Sequence, residues 1–172
     1  MIETLSPSAL TAAEGELVTL LRDCVHTGAS LGFLAPLPEA DAIDYWRNVA
    51  WQVAAGSRAV LAARDGGGRI VGSGQLAFES KPNGRHRAEI NKVMVLPSHR
   101  RRGIAAELMR ALERCARERH IRLLFLDTAE GEGGARGFYE SLDYVYAGGI
   151  PDYALDPDGR PMKNAIYYKL LS

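Results

Sequence analysis

Val95-Leu-Pro-Ser-His-Arg-Arg-Arg-Gly-Ile-Ala105 joins two kinds of periodicity, and its reading decides the fold. Before it, Ala88-Glu-Ile-Asn-Lys-Val-Met-Val-Leu96 is rich in β-branched residues and ends at Pro97, which cannot donate to a central ladder. After it, Ile104, Leu108, Met109, Leu112, Cys115 and Ala116 recur at helical spacing, with Glu107, Arg110, Glu113, Arg117 and Glu118 on the opposite side. The junction itself reads Arg100-x-x-Gly103-x-Ala105. Small residues at a helix mouth let an anion approach the first-turn N–H groups, which lack intrahelical acceptors and sit at the positive end of the dipole. Arg100, Arg101 and Arg102 add donors that suit phosphate oxygens, so residues 100–105 read as a pyrophosphate cradle.

Outward from this junction the elements alternate. Thr11-Ala-Ala-Glu14 has the form of a capping box and predicts a helix over 12–26 with Leu17, Leu21 and Val25 inward. A Gly/Pro-rich stretch at 28–38 precedes a second helix that ends near Gly56 and carries Ile43, Trp46, Ala50 and Val53 on one face. Strands are predicted at 58–63 and 70–78, joined by Asp65-Gly-Gly-Gly68, and then at 88–96. A helix over 103–119 crosses to a strand at 121–127. A helix at 132–142 and strands at 144–148 and 165–171 complete the chain. The expected fold is α/β with a mixed central sheet: an antiparallel meander, then a βαβ unit whose strands 88–96 and 121–127 run parallel. The 172 residues suit a single domain.

Composition narrows the function classes. Lys plus Arg equals Asp plus Glu at 21 each, so no overall field draws the chain to nucleic acid or a membrane, and the basic run at 100–102 is a local device. No apolar run has the length of a membrane span, and the start lacks the pattern of a signal peptide. Cys24 and Cys115 fall on apolar helix faces, which reads as two buried thiols in a reducing cytoplasm. The four histidines are scattered, and no Cys/His spacing suggests a metal.

Strand, V-x-P, then R-x-x-G-x-A opening a helix resembles the acyl-CoA-binding motif of the GNAT acetyltransferase superfamily. Ala135-Arg-Gly-Phe-Tyr139 and the residues after it are similar to that superfamily's fourth-helix element. Glu132 stands where its members often have Asn, and Asp143-Tyr144 replaces a Gly-Phe pair. The resemblance implies acetyl-CoA as cofactor, with no metal. Its pyrophosphate would lie at Arg100, Arg101, Arg102, Gly103, Ile104 and Ala105, and its pantetheine would pair with the backbone of Val93, Met94 and Val95 in a V between splayed strands. It makes Tyr139 the acid facing the CoA sulfur.

Amine acetylation also needs a base, because an ammonium with a reference pKa of about 10.4 is not a nucleophile. Glu89 and Asp127 are the candidates; otherwise Glu89 pairs with Arg85 or Arg87, and Asp127 caps the turn after it. Gly28-Ala-Ser-Leu-Gly-Phe33, Lys81-Pro-Asn-Gly84, Arg87-Ala-Glu89, Leu126-Asp-Thr128 and Pro157-Asp-Gly159 are similar to a toxin-detoxifying branch of the superfamily, which implies that Glu89, Asp127 and Tyr139 surround the reaction centre. Phe33, Tyr45 and Trp46 sit where GNAT acceptor sites are lined. Tyr45 and Trp46 are adjacent and cannot share one helix face.

The sequence therefore points to an N-acetyltransferase acting on a small amine by direct transfer, compatible with a monomer or a homodimer. Acetylation of a peptide or protein, and a non-catalytic CoA sensor, are the alternatives.

Overall fold

The computed structural model describes residues 1–129, 136–156 and 158–172. Its frame is a seven-stranded sheet in the order β1-β2-β3-β4-β5-β9-β6. The strands are β1 (Ile2–Thr4), β2 (Arg58–Arg64), β3 (Ile70–Phe78), β4 (Arg87–Val95), β5 (Leu123–Ala129), β6 (Val145–Gly148) and β9 (Asn164–Leu170), with a separate hairpin of β7 (Ala154–Leu155) and β8 (Pro161–Met162). Among the described residues β4 and β5 form the one parallel pair, linked through helix α4 (Ile104–Glu118), as the crossover rule requires. Helices α1 (Pro7–Ala12), α2 (Glu14–His26) and α3 (Glu39–Ala54) lie on the other face of the sheet, and the short α5 (Arg136–Glu140) follows β5.

The first helix starts differently from its sequence signature. The helix predicted over 12–26 is α2, whose N-cap is Ala13 with no side-chain bond. Thr11 falls inside the preceding α1, where its Oγ1 donates to Pro7 O, and α1 is capped by Ser6, whose hydroxyl accepts from Ala9 N at 3.1 Å. Pro7 at the first helical position explains that start, because its fixed φ and missing N–H suit that place. Of the helix predicted at 132–142, residues 132–135 lie outside those described, as does Pro157; the described helical part is Arg136–Glu140.

Two features of the sheet build the site. First, β4 and β5 pair only at Arg87↔Leu123, Ala88↔Leu124 and Glu89↔Phe125. Beyond that point β4 stays with β3 as far as Val95↔Gly72, and β5 stays with β9 as far as Ala129↔Asn164. The strands part into a V, and among the described residues the β5-facing edge of β4 has no ladder partner from Ile90 to Val95. Second, Ser73 pairs with Met94 and Gln75 with Asn91, so Lys92 and Val93 together face the single residue Gly74. This is a β-bulge, and Lys92 takes the strained residue of it, with φ +53°.

The bulged strand is backed tightly by α4. A Cβ on Gly74 would come 2.9 Å from Leu112 Cδ1, and one on Gly72 would meet Met94 O at 3.1 Å and Leu108 Cδ1 at 3.2 Å. Leu108 and Leu112 are fully buried and have no free space to retreat into. Gly74→Ala should therefore destabilise the fold by about 1–3 kcal/mol, the usual range for overpacking. Chemical denaturation measures this, and an unchanged midpoint would contradict the close approach.

Candidate active site

Two cavities meet along β4. The first, about 230 Å³, lies between the arms of the V. Ile90–Val93 of β4, Asp127–Ala129 of β5 and Tyr139 of α5 line it, together with Ser30–Gly32 and residues of the β7–β8 hairpin and its exit: Tyr153, Ala154, Met162, Lys163 and Asn164. The second, about 460 Å³, runs from Val93–Val95 to the mouth of α4, with Arg100, Arg101, Gly103–Ala106 and Phe138 around it. Val93 belongs to both, and the neighbours Phe138 and Tyr139 divide between them. The bulge thus sits at the junction of the two spaces.

The mouth of α4 is open and presents unpaired backbone donors. Gly103 is its N-cap, with φ +80° and no side-chain cap. A Cβ there would meet nothing within 4 Å, so the approach is open. The first intrahelical bond runs from Glu107 N to Gly103 O, which leaves the N–H groups of Ile104, Ala105 and Ala106 without helical acceptors. The three arginines divide their roles. Arg100 ties loop to strand and helix, donating to Val95 O at 3.3 Å and Thr27 Oγ1 at 3.1 Å. Arg102 donates to Ser98 O and does not line the cavity. Arg101 is exposed, lines the cavity and has no side-chain partner among the described residues.

The carboxylates are placed by sheet register. Glu89 and Phe125 pair across β4–β5, and Asp127 lies two residues on, so Glu89 and Asp127 project from the same face of the sheet. Asp127 lines the first cavity; Glu89, half-buried, does not, and lies beside Asn91. Burial and the neighbouring Asp127 charge push the Glu89 carboxyl above the ordinary carboxylate range, against the Asn91 hydrogen bond and the charges of Arg58 and Lys92.

Tyr139 is 8% exposed, within an aromatic cluster: its ring centroid lies 5.1 Å from Phe138, 5.5 Å from Tyr167 and 6.0 Å from Tyr144. Burial, then the Asp127 charge, pushes its phenol up to about 12. It holds its proton at neutral pH and is placed in the cavity as a donor.

The three aromatic candidates separate. Phe33 and Tyr45 pack edge-to-face at 5.4 Å, and the Lys92 ammonium stands 5.9 Å from each ring centroid. Tyr45 donates to Gln75 Oε1 at 3.1 Å; burial drives its phenol to about 12. Trp46 packs edge-to-face on Tyr45 at 5.3 Å but is 2% exposed, and its indole donates to Leu17 O at 2.9 Å, so the structure gives it to the core rather than to either main cavity. Burial raises both cysteine thiols, and neither lines these cavities, although Cys24 Sγ donates to Val95 O.

Sequence reasoning missed a polar cluster beneath the bulge. Arg58 donates to Gln75 Oε1 and to Asn91 Oδ1, and Lys92 and Asn164 both line the first cavity. The available signal was Asn91-Lys92, a polar pair inside an otherwise apolar β run.

Residues 25–144 match the acetyltransferase (GNAT) family. The chain belongs to the GNAT acetyltransferase family. It is accordingly an acetyl-CoA-dependent acetyltransferase. Solved structures share the fold over its whole length. A ribosomal-protein-alanine N-acetyltransferase from Brucella melitensis is 22% identical, with a TM-score of 0.77 and 99% of each chain covered. An N-acetyltransferase from Staphylococcus aureus Mu50 is 15% identical, with a TM-score of 0.81, covering 100% of this chain and 98% of that one. A candidate acetyltransferase from Salmonella typhimurium with its cofactor acetyl-CoA is 15% identical, with a TM-score of 0.76, covering 100% of this chain and 94% of that one. The splayed strands belong to that common fold. No helix among the described residues is long and apolar enough to cross a membrane.

Proposed function

We propose that this GNAT enzyme transfers the acetyl group of acetyl-CoA directly to the amine of a small molecule held in the cavity between β4 and β5. The observation that carries this reading is the meeting of the two spaces at Val93, one ending in an anion cradle and the other in a carboxylate and a protonated phenol. Acetyl-CoA supplies an activated acetyl group as a thioester. The first-turn N–H groups of α4 and the Arg101 guanidinium hold its pyrophosphate, Arg100 and Arg102 shape the loop, and the free edge at Val93–Val95 accepts pantetheine as an added strand. An edge N–H at the bulge is the donor to the thioester oxygen as negative charge develops there.

Glu89 and Asp127 serve the amine: one removes its proton, directly or through water, and the other holds it as a cation. As the amine nitrogen bonds to the acetyl carbon and the C–S bond breaks, Tyr139 gives its proton to the departing sulfur. No cysteine takes part, since both thiols are buried away from the cavities and held protonated by burial.

Two observations favour a small acceptor over a peptide. The acceptor cavity is covered by residues 30–32 and by the β7–β8 hairpin, and its volume lies below the ~300–1,000 Å³ of drug-sized ligand sites. The dispersed sequence matches also resemble the tabtoxin-resistance acetyltransferase, whose acceptor is an amino-acid-like β-lactam. A screen of amines and peptides for thiol release from acetyl-CoA tests the reading. Turnover confined to peptides would replace it with a protein acetyltransferase, and firm CoA binding without any turnover would leave a sensor.

The cofactor half has its own test. Gly103→Asp puts a carboxylate where the pyrophosphate is expected, whereas Gly103→Asn adds similar bulk in a residue that tolerates positive φ. By calorimetry, CoA affinity should fall tenfold or more in the Asp variant, and much less in the Asn variant. Equal affinities in all three proteins would contradict the placement.

A further inference from the structure

One polar group stands on each arm of the V, and the acetyl-transfer chemistry uses neither. On the β4 arm is Lys92, at the bulge. Its ammonium stands over the Phe33–Tyr45 pair, 5.9 Å from each ring centroid, and so close to the 28–37 loop that a Cβ on Gly32 would sit 3.6 Å from Nζ. Among the described residues no carboxylate comes within ion-pair distance of it. On the other arm is Asn164, which opens β9 opposite Ala129. Asn164 is 3% exposed; its Oδ1 accepts from Ile150 N at 2.8 Å, and its Nδ2 is buried with no hydrogen-bond partner among the described residues. Both residues line the acceptor cavity, which also receives Asp127.

A buried amide donor without an acceptor is costly, and such groups in native proteins are commonly completed by a ligand or water. A half-buried ammonium over aromatic faces has lost much of its hydration; the Asp127 and Glu89 charges act on it from a distance, and neither forms an ion pair with it, so its N–H donors remain available. Two donors lining one cavity, one cationic and one neutral, suit a carboxylate, whose two oxygens can only accept. Asp127 in the same cavity supplies the complementary site for an ammonium. The arrangement is that of a site for a zwitterion.

We propose that the acceptor carries a carboxylate, held by the Lys92 ammonium and the Asn164 side-chain N–H, so that this enzyme selects amino acids over simple amines. The proposal rests on the small-amine reading above and adds the residues that read the acid group. Burial and the Arg58 charge lower the Lys92 pKa, and the Asp127 and Glu89 charges partly oppose them; an anion bound beside it would add to that opposition.

The test separates recognition from turnover. N-acetylated glycine, alanine and valine, and their N-acetyl carboxamides, are titrated by calorimetry into the CoA-saturated enzyme. The acids should bind at least tenfold more tightly than the amides. Lys92→Met and Asn164→Asp should each abolish the difference, and Lys92→Arg should retain part of it. Asn164→Asp is the sharper variant, since an oxygen still accepts from Ile150 N while the donor becomes a second acceptor. Unchanged CoA affinity in each variant verifies its fold. Equal binding of acids and amides by the wild-type enzyme, or binding of neither, would overturn the proposal without reference to any variant. Acid-selective binding with no thiol release from the free amino acids would instead sink the small-amine reading and leave the carboxylate site standing.

Discussion

Tyr139→Phe is expected to lower kcat about 100-fold while leaving the affinity for CoA nearly unchanged. The size follows from the contribution of a positioned acid, about 10²–10⁴-fold, and 100-fold corresponds to about 2.7 kcal/mol of barrier. The selectivity follows from the geometry. The substitution removes one hydroxyl from the acceptor cavity and keeps the ring that packs against Phe138, Tyr144 and Tyr167. Phe138, the neighbour that lines the cofactor cavity, is untouched. An acceptor whose transfer already has thiolate departure as its easy step would show a smaller fall. Rapid-mix measurement of the chemical step, beside calorimetry with CoA, checks both halves. Loss of CoA affinity equal to the loss of rate would move Tyr139 from acid to packing residue, and full activity would remove it from the mechanism.

What could be read from the chain follows the locality of the forces involved. The β4–α4 junction was legible because each part is local: β-branched residues before Pro97, a glycine at the helix mouth, and apolar positions at 104, 108, 109, 112, 115 and 116. The bulge was not, because it exists only as a mismatch between β3 and β4, and nothing in Asn91-Lys92-Val93 says that two residues will share Gly74 as a partner. β1 escaped notice because three residues carry too little periodicity, and its pairing with β2 is long-range. The Thr11 capping box fails because Ser6-Pro7 opens a separate short helix that takes Thr11 into its last turn, and α2 then starts after Ala13 with no side-chain cap. Tyr45 and Trp46 are adjacent and their rings touch at 5.3 Å, so only the packing of α3 on α2, through the indole bond to Leu17 O, tells which one is core. Asn164 lies at the start of a strand whose place between β5 and β6 is non-sequential, so its approach to the cavity had no local signature.

The two carboxylates should be told apart by pH. A base acts only when deprotonated, and the Glu89 carboxyl is raised by burial and by the Asp127 charge. If Glu89 is the base, the acidic limb of kcat/KM lies above the ordinary glutamate value of about 4.3. Asp127→Asn removes the charge that helps to raise it, so the limb should move to lower pH in that variant while KM for the amine rises, because a cation-holding group is lost. Glu89→Gln should eliminate the limb and reduce the rate by about 10²-fold or more, most severely at low pH, where the fraction of free amine is smallest. The opposite assignment gives the opposite pattern: Asp127→Asn takes the limb and the rate, and Glu89→Gln affects mainly KM. Profiles of both variants indistinguishable from the wild type in shape and height would show that proton removal from the amine is carried by neither residue. The placement favours Asp127 as the group nearest the bound amine, since it lines the cavity and Glu89 does not. Glu89 then works through water or through Asp127, and its loss should be the one partly relieved by raising the pH until the amine deprotonates unaided.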